Sequence, residues 1–129
     1  DEGLVVWAEC GGLLWLADRL DARSMAGVIP TTARMTDRLT LGYRHARTTM
    51  TSPLGPARLE LRGHEFHYST VTPEGHGLEG AGRADMPTSG WARPALIASY
   101  VHLHLGAAPQ LAGAFLDAAC PSREEVSPR

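Results

Sequence analysis

Leu4-Val5-Val6-Trp7-Ala8-Glu9-Cys10-Gly11-Gly12-Leu13-Leu14-Trp15-Leu16 is the stretch on which the fold turns. Its first five residues are uninterrupted apolar and partly β-branched, the composition of a strand covered on both faces, as in a parallel sheet. The run stops at Glu9-Cys10-Gly11-Gly12, where paired glycines allow a sharp turn. Beyond them Leu13, Leu16, Ala17 and Leu20 recur at helical spacing and predict a helix over 13–20 with one apolar face. Strand, glycine turn and helix in immediate succession point to an α/β domain built on a mostly parallel sheet.

Working outward, residues 27–50 are rich in Thr, Val, Ile, Leu and Tyr, with turn signals at Pro30 and Asp37, and read as β structure. A second β-rich stretch covers 57–71. Together they predict an antiparallel extension of the sheet. Residues 72–93 mix Gly and Pro with polar side chains and read as a long surface loop, a candidate for coupling to a partner. Pro94 to Val101 reads as another buried strand, ending in His102-Leu103-His104, and a helix is predicted from Pro109 to Ala119. Residues 1–121 then form one domain and 122–129 a polar tail that frays.

Composition excludes several classes. Within 129 residues there are 14 acidic and 12 basic side chains, a net charge of −2, and every basic residue is Arg, spread along the chain. That is no nucleic-acid footprint. No apolar run approaches the roughly 18 residues a membrane span needs. The two cysteines, Cys10 and Cys120, sit in unlike contexts and make no secretory framework, so a reducing cytoplasm is the expected compartment. The chain starts at Asp1 with neither Met nor leader, and reads as a fragment or processed chain rather than a secreted precursor.

A cysteine between a buried strand and a helix, followed by two glycines, suits a nucleophile. Gly11 and Gly12 let the chain turn and leave no Cβ to block approach to the sulfur. A helix N-terminus aimed at the thiol favours thiolate, and the Gly11 N–H is a candidate oxyanion donor. The alternative is a small buried core cysteine. His102, at the carboxyl end of the later strand, is the natural base, because reactive groups gather at strand ends in such sheets. A hydrogen-bonded sheet-edge histidine is the competing view of it.

Four ordered segments carry a family resemblance: AECGGLLWL at 8–16, GVIPTTARMTDRLTLGYR at 27–44, RGHEFHYS at 62–69 and SYVHLHL at 99–105. Together they resemble the cobyrinic (or hydrogenobyrinic) acid a,c-diamide synthases, and specifically part of their C-terminal class I glutamine amidotransferase domain, a flavodoxin-like fold. The resemblance implies that Cys10 forms a γ-glutamyl thioester and releases ammonia from glutamine, with His102 handling the protons. It implies partners as well: an ATP-binding domain that activates and amidates a corrin precursor. No G-x-x-x-x-G-K-[ST] phosphate loop occurs in these residues, so ATP and Mg are expected in an N-terminal region outside them, with no cofactor bound by this segment.

Two departures qualify the carry-over. Many class I amidotransferases place a Glu two residues after the catalytic His, where this chain has His104, so a Cys-His dyad is the expectation. The Gly-rich loop that supplies part of the family's oxyanion hole precedes the nucleophile strand, upstream of Asp1. Losing one such donor costs roughly a hundredfold in rate. Glu65 and His67 can position glutamine or a second domain, or Glu65 can orient His102; packed strand residues are the plainer view, as they are for His64, Tyr43 and His45.

Two other functions fit parts of the pattern. His64, His67, His102 and His104 form H-x-x-H and H-x-H pairs that in a β-rich fold could ligate zinc or iron, although this leaves AECGG unexplained. A truncated amidotransferase-like domain that folds without turnover is the third.

Overall fold

The computed structural model describes residues 3–82 and 86–121, so the expected tail at 122–129 lies outside the described residues. The elements in chain order are β1 (Val6–Glu9), α1 (Gly11–Leu16), β2 (Ala17–Leu20), β3 (Arg23–Ser24), β4 (Ile29–Thr48), β5 (Glu60–Thr72), β6 (Leu78–Gly80), β7 (Trp91–Arg93), β8 (Leu96–Ser99), β9 (His102–Leu103) and α2 (Gln110–Ala119).

The mixed α/β reading holds, and the sheets divide in two. In the first, β8 lies between β1 and β7; β1 runs parallel to it from Val6↔Leu96 to Glu9↔Ser99. The second has the order β3-β2-β4-β5-β9, with β6 on β4. Among its ladders only β2–β4 is parallel; β4–β5, β4–β6, β5–β9 and β2–β3 are antiparallel. Parallel neighbours need long crossovers, whereas the longest strands, β4 and β5, form one long hairpin, so among the described residues the mostly parallel arrangement is realised only around β1–β8 and β2–β4.

The β8 strand Leu96-Ile97-Ala98-Ser99 is buried throughout, as its apolar sequence requires. Alternate residues face opposite sides. Leu96 and Ala98 join Ala8, Leu13, Leu16, Ala17, Ile29, Ala33 and Val71 in one core cluster beneath α1. Ile97 joins Ala46, Leu54, Leu61, Leu78, Val101 and Leu111 in a second, beneath α2. Trp7 follows the same alternation and meets Phe115 of α2 edge-on, ring centres 5.7 Å apart.

Three expectations are corrected. The first helix ends at Leu16, and Ala17 turns extended (φ −63°, ψ 166°) to pair with Ile29 of β4. A register shift between Ala17 and Arg19 lets Ala17 and Leu20 both reach the first core from a strand, which is how a helical spacing was mimicked. The stretch 72–93 is not wholly loop, since β6 and β7 lie within it. The strand from Pro94 ends at Ser99, whose Oγ accepts the Val101 N–H at 3.0 Å, and His102 opens a separate strand on the other sheet. No helix among the described residues is long and apolar enough to cross a membrane.

Pairing of His102 with β5 depends on Gly63. A Cβ there would collide with the His102 carbonyl and lie 2.8 Å from Val101 Cγ1, because β9 crosses directly over it. Gly63→Ala is expected to cost about 1–3 kcal/mol, the scale of overpacking, measured by urea denaturation. Unchanged stability would mean that β9 is free to move off β5.

Candidate active site

Cys10 stands at the junction of β1 and α1 with φ 50° and ψ −104°, one of three described non-glycine residues at positive φ. An L-residue held there costs on the order of 1–3 kcal/mol and persists only where its surroundings enforce it. They do so on both sides: the Cys10 N–H donates to the Ser99 carbonyl at 2.8 Å, and its carbonyl accepts from Leu14 N at 3.2 Å. The two glycines serve different ends. A Cβ on Gly11 would meet nothing within 4 Å, leaving approach to the sulfur open, whereas one on Gly12 would press within 3.2 Å of Ala8 Cβ, where α1 lies against β1.

The thiol's electrostatics differ from the expectation of a ready thiolate. Burial pushes the Cys10 thiol up, and the carboxylates of Glu65 and Glu9 push the same way; the Gly11 N–H opposes them without prevailing. Together these effects favour the thiol over the thiolate at rest. Outside the elbow the thiol makes a long 3.9 Å contact with the Phe66 carbonyl.

On β5 the side chains alternate strictly. Glu65, His67 and Ser69 turn inward while His64, Phe66 and Tyr68 turn out. A buried row of polar residues on a strand face is unfavourable unless paired. Arg44 of β4 donates to Glu65 Oε2 at 3.1 Å. His67 Nδ1 donates to the Ser69 carbonyl at 2.9 Å, and its ring stacks on Tyr100, centres 3.6 Å apart. Tyr100 shares a 2.9 Å hydrogen bond with Ser69 Oγ, and burial pushes its hydroxyl up to about 12. His67 Nε2 is buried without a hydrogen-bond partner, 3.6 Å from Glu65 Oε2. These groups line a cavity of about 320 Å³ that also touches Leu13 of α1 and Glu74.

His102 approaches from β9. It pairs with His64, two residues before Phe66 on β5, so Cys10 and His102 reach the same strand about 7 Å apart along it. Its Nδ1 lies 3.8 Å from Glu9 Oε2, and its ring stacks on His64, centres 4.9 Å apart and planes 8° from parallel. His104 contacts His64 instead, Nε2 to Nδ1 at 3.0 Å. Glu65 stands with Arg44 and His67 rather than against His102. The metal pattern breaks on strand geometry: His64 and His67, three apart on β5, face opposite sides, and the described residues hold no group of three or more metal-type ligands.

Sequence reasoning missed Glu9, Arg44 and Tyr100. Glu9 left one signal, a charge at the end of a run otherwise apolar enough to be buried on both faces. For Arg44 and Tyr100 the signal was register: they sit where β4 and the β8–β9 turn face the inward side of a strand whose sequence is polar there.

The profile of a CobB/CobQ-like glutamine amidotransferase domain matches residues 1–110. Among similar proteins, a hydrogenobyrinate a,c-diamide synthase of Streptomyces coelicolor is 42% identical over 118 residues, covering 89% of this chain and 24% of its own length. A cobyrinate a,c-diamide synthase of Syntrophotalea carbinolica is 40% identical over 126 residues, covering 87% and 28%. A hydrogenobyrinate a,c-diamide synthase of Thermobifida fusca is 35% identical over 128 residues, covering 94% and 27%. The chain spans about a quarter of the length of the curated relatives it matches.

The direction of the Cys10 shift is testable in a Cys120→Ser background, which leaves one thiol to follow. Alkylation by iodoacetamide against pH should show a midpoint above that of free cysteine, and Glu65→Gln should move it down by removing a like charge. A midpoint well below the ordinary thiol range would contradict this electrostatic account.

Proposed function

This chain belongs to the CobB/CobQ-like glutamine amidotransferase family, and on that premise we propose that it is the glutaminase part of a cobyrinate or hydrogenobyrinate a,c-diamide synthase. The observation that carries the reading is the enforced positive φ of Cys10 at a strand-to-helix elbow, with the His102 ring brought to the same strand. Strain at a cysteine that could relax by becoming glycine is explained by a requirement for the sulfur.

In the reaction Cys10 gives its proton to His102 and attacks the side-chain carbonyl carbon of glutamine. The oxyanion forms against the Gly11 N–H, the first free donor of α1. His102 returns the proton to the departing nitrogen, the C–N bond breaks, and ammonia leaves a γ-glutamyl thioester. Water, deprotonated by the same imidazole, hydrolyses the thioester to glutamate and regenerates the thiol.

The cavity, which Leu13 of α1 lines but Cys10 and His102 do not, suits the other end of the substrate. Free glutamine carries a carboxylate and an ammonium, and the cavity offers Arg44 to the first and Glu65 or Glu74 to the second. Ammonia would pass to an ATP- and Mg-dependent domain that activates carboxylates a and c of a corrin precursor, the acceptor named for the relatives. A flavodoxin-like core completed by residues outside this chain, and a reducing cytoplasm that keeps Cys10 a thiol, belong to the same reading.

A glutamine-analogue diazo ketone, 6-diazo-5-oxonorleucine, should label Cys10 stoichiometrically, and Cys10→Ala should abolish labelling. His102→Ala should lower glutamate release by about a hundredfold or more, the share of a general acid–base group. Equal labelling of Cys10→Ala, or full glutamate release without His102, would overturn the assignment. A folded protein that neither labels nor turns over would favour a non-catalytic domain.

A further inference from the structure

The proposed chemistry needs an imidazole held in one tautomer, and the position two residues after His102 offers only His104, engaged with His64. The carboxylate nearest the His102 ring comes from elsewhere. We propose that Glu9, the residue immediately before the nucleophile, is the positioning carboxylate for His102, taking the place that a downstream glutamate holds in other amidotransferases; the inference rests on the Cys10–His102 reading.

The geometry of Glu9 is unusually determined for a carboxylate. Its Oε1 accepts two hydrogen bonds, from Trp7 Nε1 at 3.0 Å and from the Leu103 backbone N–H at 3.0 Å. The first fixes the side chain to its own strand. The second ties β1 to β9, on the residue that follows His102. With Oε1 occupied, Oε2 is turned to His102 Nδ1 at 3.8 Å. A negative oxygen facing Nδ1 favours the tautomer protonated there and leaves Nε2 with the lone pair that a base requires. When His102 takes the Cys10 proton, the same oxygen faces an imidazolium, so the attraction is greatest after proton transfer.

His64 completes the clamp. Its ring lies parallel on His102, while its Nδ1 is bonded to His104 and so cannot turn away freely. Glu9 and His64 together leave His102 little rotational freedom. Burial and Glu65 push the Cys10 thiol up, and Glu9 adds to them, so the carboxylate that faces the ring also disfavours a resting thiolate.

Chain order gives this arrangement a mechanical logic. Glu9 pairs with Ser99 at the last rung of the β1–β8 ladder, and Cys10 begins the turn. Any displacement of β1 therefore moves nucleophile and orienting carboxylate together.

Glu9→Gln is the sharpest variant, since the amide oxygen can still accept from Trp7 and Leu103 and only the charge is lost. In the full chain, kcat for glutamate release is expected to fall about ten- to a hundredfold, within the range of acid–base contributions, with KM for glutamine and thermal midpoint nearly unchanged. Glu9→Asp should recover part of the loss. The decisive measurement is a cycle read by the rate of Cys10 labelling with 6-diazo-5-oxonorleucine: Glu9→Gln should slow labelling where His102 is present and have no further effect in His102→Ala. Equal slowing in both backgrounds, or a Glu9→Gln protein with full kcat, would overturn the role given to Glu9 while leaving Cys10 and His102 in place. A His102→Ala protein that labels at the full rate would instead remove the reading on which the proposal stands.

Discussion

The hydrogen bond from the Cys10 amide to the Ser99 carbonyl is the constraint from which the site follows. It closes the parallel β1–β8 ladder one residue past Glu9, at the point where the chain must reverse into α1. Bonded there on one side and to Leu14 of the helix on the other, Cys10 is held at positive φ. Burial on both faces makes β8 rigid enough to impose this, because its side chains are divided between the two core clusters. Beyond Ser99 the chain bends through Tyr100 and delivers His102 to β5, so one short strand fixes Cys10 at its end and leads on to His102.

The second determinant is the polar inner face of β5. Glu65, His67 and Ser69 occupy positions that an ordinary strand would fill with aliphatic residues, and they are tolerated because Arg44, Tyr100 and backbone carbonyls pair with most of their polar atoms. The cavity that results is charged on both signs. The same burial, with Glu65 and Glu9, works against a resting thiolate more strongly than the Gly11 N–H works for it. A six-residue helix contributes little beyond that one amide. In the proposed chemistry, activation of the thiol therefore falls to the imidazole rather than to the helix.

Much of this was legible in the sequence, and the rest was hidden for identifiable reasons. Residues 4–12 announced a strand and an elbow because apolar runs and paired glycines act locally, but the burial expected on both faces is not realised: β1 is an edge strand, mostly half-buried, and Leu4 before it is exposed. The long hairpin of β4 and β5 was visible in its β-branched and aromatic composition, and α2 was expected where it lies. The end of α1 was not, since Ala17 leaves the helix to pair with Ile29 and a bulge preserves the apparent period. A two-residue strand such as β9 has no sequence signature, yet it is what brings His102 to β5. The partner of His102 was sought two residues downstream, at position 104, or at Glu65, whereas the structure supplies a carboxylate from the strand that carries the cysteine; such a contact is set by sheet order alone.

The central claim is that the Cys10 sulfur and the His102 ring face one another across a shared cleft against β5. The most direct test is the separation of Cys10 Sγ and His102 Nε2 in a crystal structure of the protein with glutamine bound to the Cys10→Ser form, reading Oγ in place of Sγ. The account predicts a separation of about 3–4 Å, hydrogen-bond reach allowing for the shorter hydroxyl. A separation beyond about 8 Å, or a ring turned to the opposite face of the sheet, would contradict it.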